Sequence, residues 1–397
     1  MKPAYIIDAV RSPIGRYGGK LSTIRPDDLL ATMIKALVQR NPLIDVNRIE
    51  DVIVGASNQA GEDNRNVARM AALLAGLPVT VAGNTVNRLC GSGLQAIMDA
   101  AKSIMCGEGM FYIAGGVESM SRAPFIIARQ IQNDKTDTET VDSTIGWRFT
   151  NQQLAALYHP YSMGETAEFL AKDRQISRAA QDAYAVQSHE KYFRALAAGK
   201  WDNEIIPISV SNNANAILVN KDEHPRETTI EKLAGLKPAF VKGGCVTAGN
   251  ASGINDGASV LLLASEAAVK LFNLQPVARV VSTAVAGVHP EMMGLGPVPA
   301  TKKALQRAGL TVADLNLIEL NEAFAVQSLA CINDLGFDNT IVNVNGGAIA
   351  LGNPIGSCGA RIATTLLHEM KRRESKYGLA TMCIGVGQGS SIIFEGL

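Results

Sequence analysis

The sequence predicts an α/β protein made of two similar halves with a loop-rich insertion between them. Strand-like runs bounded by glycine alternate with helical apolar periodicity at both ends of the chain. The order of these elements repeats in the second half. The composition, 47% apolar and 19% charged with 37 glycines, is that of a well-packed soluble fold rich in turns. At 397 residues the chain exceeds one ordinary core, so more than one domain or subdomain is expected.

The first half opens with a β-rich run from Tyr5 to Val10 and a loop, Arg11 to Gly19, marked by its glycines and proline. Asp27 and Asp28 start a helix through Leu29, Leu30, Met33, Ile34 and Leu37, with acidic residues at the positive end of its dipole. Val52 to Gly55 reads as a short buried strand, and Asn66 to Ala75 as a helix ended at Gly76. Asn84 to Gly93 then places one thiol, Cys90, against Gly91-Ser92-Gly93, and a long apolar-periodic segment follows through Leu94, Ile97, Met98, Ala101 and Ile104. That pattern is strand, tight turn, helix. Phe111 to Gly116 is a further strand stopped by glycines.

From about Ser121 to Gly249 the rhythm is lost. Polar stretches, Gln132 to Val141 and Ser209 to Asn220, surround helix-like pieces at Ala167 to Lys172 and Ala179 to Ala198. This is read as an inserted subdomain of the kind that carries substrate-binding surface. The rhythm then resumes in its original order. Ala278 to Ser282 matches the first strand, Pro299 to Ala308 the first helix, and Leu315 to Leu320 the run Ile49 to Val54. Val342 to Gly347 and the helix from Gly359 match the Cys90 strand and helix, and Leu379 to Gly387 matches Phe111 to Gly116. Residues 1–121, completed by 249–272, form one half, 122–248 the insertion and 273–397 the other half, with ligand groups expected where the halves meet.

Lys plus Arg equals Asp plus Glu at 37 each, so net charge gives no reason to expect nucleic acid or an anionic membrane as partner. The chain runs straight into a strand without a signal-like segment, and no apolar run is long enough to span a bilayer, so a cytoplasmic location is expected. The six cysteines, at 90, 106, 245, 331, 358 and 383, lack CxxC or Cys/His spacing, which suggests neither a zinc site nor a disulfide framework.

Four stretches stand out chemically. A cysteine at the Cys90 turn lies near the positive end of a helix dipole, which lowers a thiol pKa; a buried structural cysteine is the equal alternative on this stretch alone. The others are Asn321-Glu322-Ala323-Phe324, Gly352-Asn353-Pro354 and Cys383 to Gly389, most of them at strand ends where α/β sheets place ligands. Asn321 and Asn353 could each be loop caps. The glycine run at 385–389 reads as a tight turn, and a dinucleotide-binding reading fails because Ser390 to Phe394 is another strand.

Together these stretches resemble the thiolase family over essentially the whole chain. The resemblance rests on Asn87 to Gly93, Gly115 to Ser121, Thr247 to Gly253, Asn321 to Phe324, Asn345 to Ala350 and Cys383 to Gly389. Ala60 to Arg69 and Asp142 to Phe149 are most similar to the 3-oxoadipyl-CoA and related degradative members. The resemblance implies a thiolase fold layered α-β-α-β-α, and cleavage of a 3-ketoacyl-CoA by CoA to acetyl-CoA and a shortened acyl-CoA, or the reverse Claisen condensation. By that likeness Cys90 is the nucleophile that carries the acyl group as a thioester. Cys383 is the second acid/base, the backbone N–H groups of Cys90 and Gly385 form one oxyanion hole, and Asn321 holds a water for the other. Ser252 and Arg226 face CoA, and Met293 lines its tunnel. CoA is a substrate, and no metal or redox cofactor is implied. A homodimer or homotetramer is expected, and a hydratase/dehydrogenase partner subunit is possible.

The sequence departs from the family at Asn353, where the motif usually reads Gly-His-Pro and, by the resemblance, the histidine both activates the nucleophile and donates to the enolate oxygen. An asparagine amide donates a hydrogen bond but cannot accept and return a proton at neutral pH. His159, His189, His224, His289 and His368 are read as structural or surface residues. Three explanations stand open: a tolerated change with Cys90 ionised by the dipole alone, a substitution introduced to trap a complex, and a paralogue that binds acyl-CoA with little turnover. The rival readings are a ketosynthase-type condensing enzyme, against which the second cysteine at 383 argues, and a non-catalytic acyl-CoA-binding scaffold.

Overall fold

A computed structural model describes residues 2–129, 139–212 and 215–397. Of the polar stretches singled out in the sequence, 132–138 and 213–214 therefore lie outside the described residues.

The central feature is a ten-stranded sheet whose strand order is nearly the same read from its middle in either direction. On one side Ala4–Arg11 is followed by Asn255–Ser265, Phe111–Ser119, Ile49–Gly55 and Ala82–Val86. On the other, Ala278–Gly287 is followed by Gln388–Gly396, Tyr377–Ile384 and Leu317–Leu320. Both sides run antiparallel, antiparallel, then parallel. They join edge to edge through Tyr5 opposite Arg279 and Ile6 opposite Ala278.

The repeat expected at Val342 to Gly347 is shorter than its partner. Only Val342 bridges to Ile318, because Asn343 turns into the left-handed region at φ 45°. Its side-chain amide replaces the missing backbone ladder, accepting from the Leu320 N–H at 2.9 Å and donating to the Leu320 carbonyl at 2.8 Å.

Side-chain alternation along the strands builds five layers. In the first half Ile7, Val10, Ile113 and Leu262 pack outward on the helices Pro26–Arg40 and Val67–Leu74. Ile6, Ala9, Ala114 and Leu261 face inward, as do Ala380, Met382, Ile392 and Phe394 of the second half, onto the helices Ser92–Cys106 and Cys358–Arg373. Leu379 and Ile393 point to the far face, with residues of the helices Pro297–Ala308 and Ala325–Leu335. Strands covered on both faces read as continuous apolar runs, which is why the sequence shows little period-two alternation.

The two central helices cross with almost no side chain between them. A Cβ on Gly93 would stand 2.8 Å from the Gly356 carbonyl oxygen and 2.9 Å from the Ala360 nitrogen, and one on Gly359 would overlap the Leu94 nitrogen. Glycine here allows backbone to approach backbone, bringing both helix N-termini to one place.

The inserted region carries the helices Met163–Asp173, started by a Ser162/Glu165 capping box, and Arg178–Ala197, together with two small hairpins. Buried Arg11 ties it to the first strand, reaching Glu204 at 2.5 Å and Asp222 at 2.7 Å. Among the described residues, no helix is long and apolar enough to cross a membrane.

Replacing Gly359 with alanine is expected to destabilise the protein by about 1–3 kcal/mol through overpacking, despite alanine's better helix propensity. A lowered urea midpoint checks this, and an unchanged midpoint would refute the close crossing.

Candidate active site

Cys90 sits four residues beyond the strand Ala82–Val86 on a turn held from several directions. Asn87 Nδ2 donates to the Ser57 carbonyl at 2.9 Å while its Oδ1 accepts from the Leu89 N–H at 2.8 Å. Ser92 Oγ accepts from the Arg88 N–H at 2.9 Å and donates to the Leu89 carbonyl at 2.6 Å. Leu89, immediately before the cysteine, is forced to φ 48°, an unusual conformation for a bulky side chain that the surrounding bonds maintain. The helix begins at Ser92, leaving Cys90 partly exposed at its mouth.

The environment of this thiol differs from the expectation of a pKa lowered by the helix dipole. Burial pushes it up, only partly opposed by the backbone N–H groups of Gly385 and of Cys90 itself, and Glu118 adds like-charge repulsion.

The second half closes over the turn. Cys383 is the penultimate residue of the strand Tyr377–Ile384, 2% exposed, and burial and the neighbouring thiols of Cys90, Cys331 and Cys358 hold its pKa well above the ordinary value. Gly385 follows, and Val386 and Gly387 at φ 62° and 76° close the two-strand hairpin that the glycine run suggested.

Asn321 follows the strand Leu317–Leu320, its N–H bonded to the Thr381 carbonyl at 3.0 Å. Next to it, the buried Glu322 carboxylate accepts from Ser188 Oγ at 2.7 Å, Tyr184 Oη at 3.1 Å, Asn343 Nδ2 at 2.9 Å and the Ile349 N–H at 3.1 Å. Asn321 Nδ2 donates to Asn353 Oδ1 at 3.2 Å, while its own Oδ1 is buried without a partner. The Asn353 N–H is held by Asn255 Oδ1 at 2.8 Å. Four loops distant in sequence thus converge, carrying Cys90, Asn321, Asn353 and Cys383.

The comparisons agree with this architecture. Residues 4–267 match the thiolase N-terminal domain and 274–396 the thiolase C-terminal domain. The chain belongs to the thiolase family. It is 52% identical over 399 aligned positions to a 3-oxoadipyl-CoA/3-oxo-5,6-dehydrosuberyl-CoA thiolase of Escherichia coli (strain K12), covering 100% of both chains. It is 51% identical over 397 positions to a beta-ketoadipyl-CoA thiolase of Pseudomonas aeruginosa, covering 99% of each. Among solved structures it is similar to the Bacillus anthracis acetyl-CoA acetyltransferase, with TM-score 0.94 and 43% identity over 100% of this chain and 99% of that one. It is also similar to human mitochondrial 3-ketoacyl-CoA thiolase, with TM-score 0.93 and 40% identity over 100% and 99%. As a thiolase the protein is an acyltransferase.

Of the residues read as facing CoA, Ser252 donates its N–H to the Ala323 carbonyl at 3.0 Å, beside the Asn321 loop of this thiolase. Exposed Arg226 donates to the Ala248 carbonyl at 3.2 Å, on the same side. Met293 is 1% exposed in the apolar cluster that holds Cys383, whereas Met163 is the methionine that reaches Gly385.

Three contributors had no role in the sequence reading. Glu118 accepts from the N–H groups of Ser57 at 2.9 Å, Asn58 at 3.1 Å and Gly356 at 2.8 Å, fastening the turn that follows Asn353 to the first half, and burial raises its pKa to about 7. The only sequence signal was a carboxylate inside an apolar strand. Cys358 donates to Asn353 Oδ1 at 2.6 Å. His224, read as remote within the insertion, packs against Gly253 and lies 3.4 Å from Asn255 Nδ2. Burial and Arg226 push its pKa to about 4, so it stands neutral and is a weak base.

Because burial dominates at Cys90, the pH dependence of its alkylation by iodoacetamide, followed on the Cys90 peptide by mass spectrometry, is expected to have a midpoint above the ordinary 9.0. A midpoint at or below neutral pH would mean that the helix dipole prevails.

Proposed function

We propose that this thiolase cleaves a 3-ketoacyl-CoA with free CoA, giving acetyl-CoA and a shortened acyl-CoA, or runs the reverse condensation, through an acyl thioester on Cys90. The observation that carries the reading is the packing of the two turns on each other: a Cβ on Gly91 would overlap Ile384 and one on Gly385 would stand 3.4 Å from Leu89 Cδ1, so the backbone N–H groups of Cys90 and Gly385 are available as donors beside the thiol, with Cys383 alongside. Once the substrate carbonyl is attacked there, the same donors are directed at the oxygen that becomes an oxyanion. Cys383, kept protonated by burial, is suited to give its proton to the departing acetyl-CoA enolate and then to take one from incoming CoA. The unpartnered Oδ1 of Asn321 can accept from a water whose other hydrogen reaches the enolate oxygen. CoA enters as a substrate, and no resident cofactor is invoked.

A dicarboxylic 3-oxoacyl group is the preferred substrate in this reading. Its support is the group of relatives named for 3-oxoadipyl- and beta-ketoadipyl-CoA, together with the likeness at 60–69 and 142–149. The enzyme works as a homodimer or homotetramer, which would cover exposed apolar residues such as Phe125 and Ile127.

Asn353 makes the enzyme slow. Its amide can donate to the thioester oxygen but gives Cys90, whose proton burial makes hard to remove, no base to take that proton. Asn353→His is expected to raise the thiolysis kcat by about 10²- to 10⁴-fold, the worth of a positioned acid/base group. An unchanged kcat would refute the role of position 353. Incubation with acetyl-CoA is expected to acetylate Cys90, detected as a mass increase on its peptide, and a panel of 3-ketoacyl-CoAs is expected to show the highest kcat/KM for 3-oxoadipyl-CoA. Turnover without Cys90 acylation would refute the covalent route.

A further inference from the structure

Two donors meet at the oxygen of Asn353. Asn321 Nδ2 lies 3.2 Å away and Cys358 Sγ 2.6 Å away, from the first residue of the central helix Cys358–Arg373. The thiol has one proton and a second acceptor, the Pro354 carbonyl, at 3.0 Å. Both oxygens lie within reach of the thiol proton. Among the described residues no acceptor meets Asn353 Nδ2, and that nitrogen is not sealed from solvent, since it is absent from the buried unpartnered atoms. With its oxygen held by two donors and its backbone N–H by Asn255, the carboxamide has one free end, its NH2.

We propose that Cys358 is a positioning residue: its thiol holds the Asn353 carboxamide oxygen, so that the NH2 group faces the thioester oxygen of the bound acyl-CoA as a donor. Without the thiol, the Asn321 amide at 3.2 Å is the one donor left on this oxygen, and an oxygen turned to the developing enolate would repel it. Fixing the amide makes asparagine serve one of the two functions that the resemblance gives to histidine, donation to the oxyanion, without proton transfer. Burial supports this, because it keeps the Cys358 thiol protonated, and so a donor, at any working pH. Cys358 touches neither substrate nor the reacting sulfur in this scheme. It acts through Asn353.

The inference rests on the acyl-transfer reading of the site, and the test separates the two. Cys358→Ala removes the donor and Cys358→Ser keeps one. The alanine variant is expected to lower the thiolysis kcat about tenfold, the worth of one lost buried hydrogen bond, with KM for CoA unchanged. The serine variant is expected to retain the parent kcat and pH profile. In an Asn353→Ala background, Cys358→Ala is expected to have no further effect. An unchanged kcat in Cys358→Ala, or an equal loss with and without Asn353, would overturn the proposal. Should the alanine variant fail to fold, Cys358→Val carries the same expectations. Failure of Cys90 to acetylate in the parent protein would instead refute the acyl-transfer reading.

Discussion

The close crossing of the two central helices governs the geometry of this molecule. Gly93 and Gly359 let the backbones of Ser92–Cys106 and Cys358–Arg373 meet directly, each glycine lying within the first turn of its helix. The turn that carries Cys90 and the turn that carries Asn353 therefore arrive side by side, although they come from different halves of the chain. Side chains at the crossing would separate them by several ångströms, enough to break hydrogen-bond reach. The same arrangement sandwiches both helices between the two halves of the sheet, and that burial raises the pKa values of Cys90, Cys358 and Cys383 together. Proximity and desolvation have one origin here, and they act in opposite directions on a nucleophilic thiol.

What the sequence revealed follows from how local each signal is. Cys90, Asn353 and Cys383 lie at glycine- or proline-marked ends of apolar runs and Asn321 directly after one, so their positions could be read from neighbours in the chain. The doubled element order was visible for the same reason. The joining of the halves at Tyr5 and Ile6 was not, because edge pairing of two apolar strands leaves no mark in either. Glu118, Asn255 and Cys358 were missed because each works on a residue made near only by folding: Glu118 on the Gly356 N–H, Asn255 on the Asn353 N–H, and Cys358 on the amide oxygen of Asn353. The expected drop in the Cys90 pKa failed on the same ground. A dipole can be read from a helix start, but desolvation depends on what packs over it.

The charge balance of the site also bears on the order of the proposed cycle. Cys90 and Cys383 are close enough that charge on Cys90 raises the pKa of Cys383, so the pair favours at most one thiolate. Acylation of Cys90 changes this balance. A thioester carries no charge, so the repulsion that opposed ionisation of Cys383 disappears at the step where Cys383 must deprotonate CoA. In the free enzyme burial, the largest cause of its raised pKa, keeps Cys383 protonated and ready to serve as an acid toward the leaving enolate. Burial and the mutual repulsion of the two thiols then act together on the order in which they ionise. The step this leaves without help is the first loss of the proton from Cys90, the step at which an amide at position 353 has least to offer.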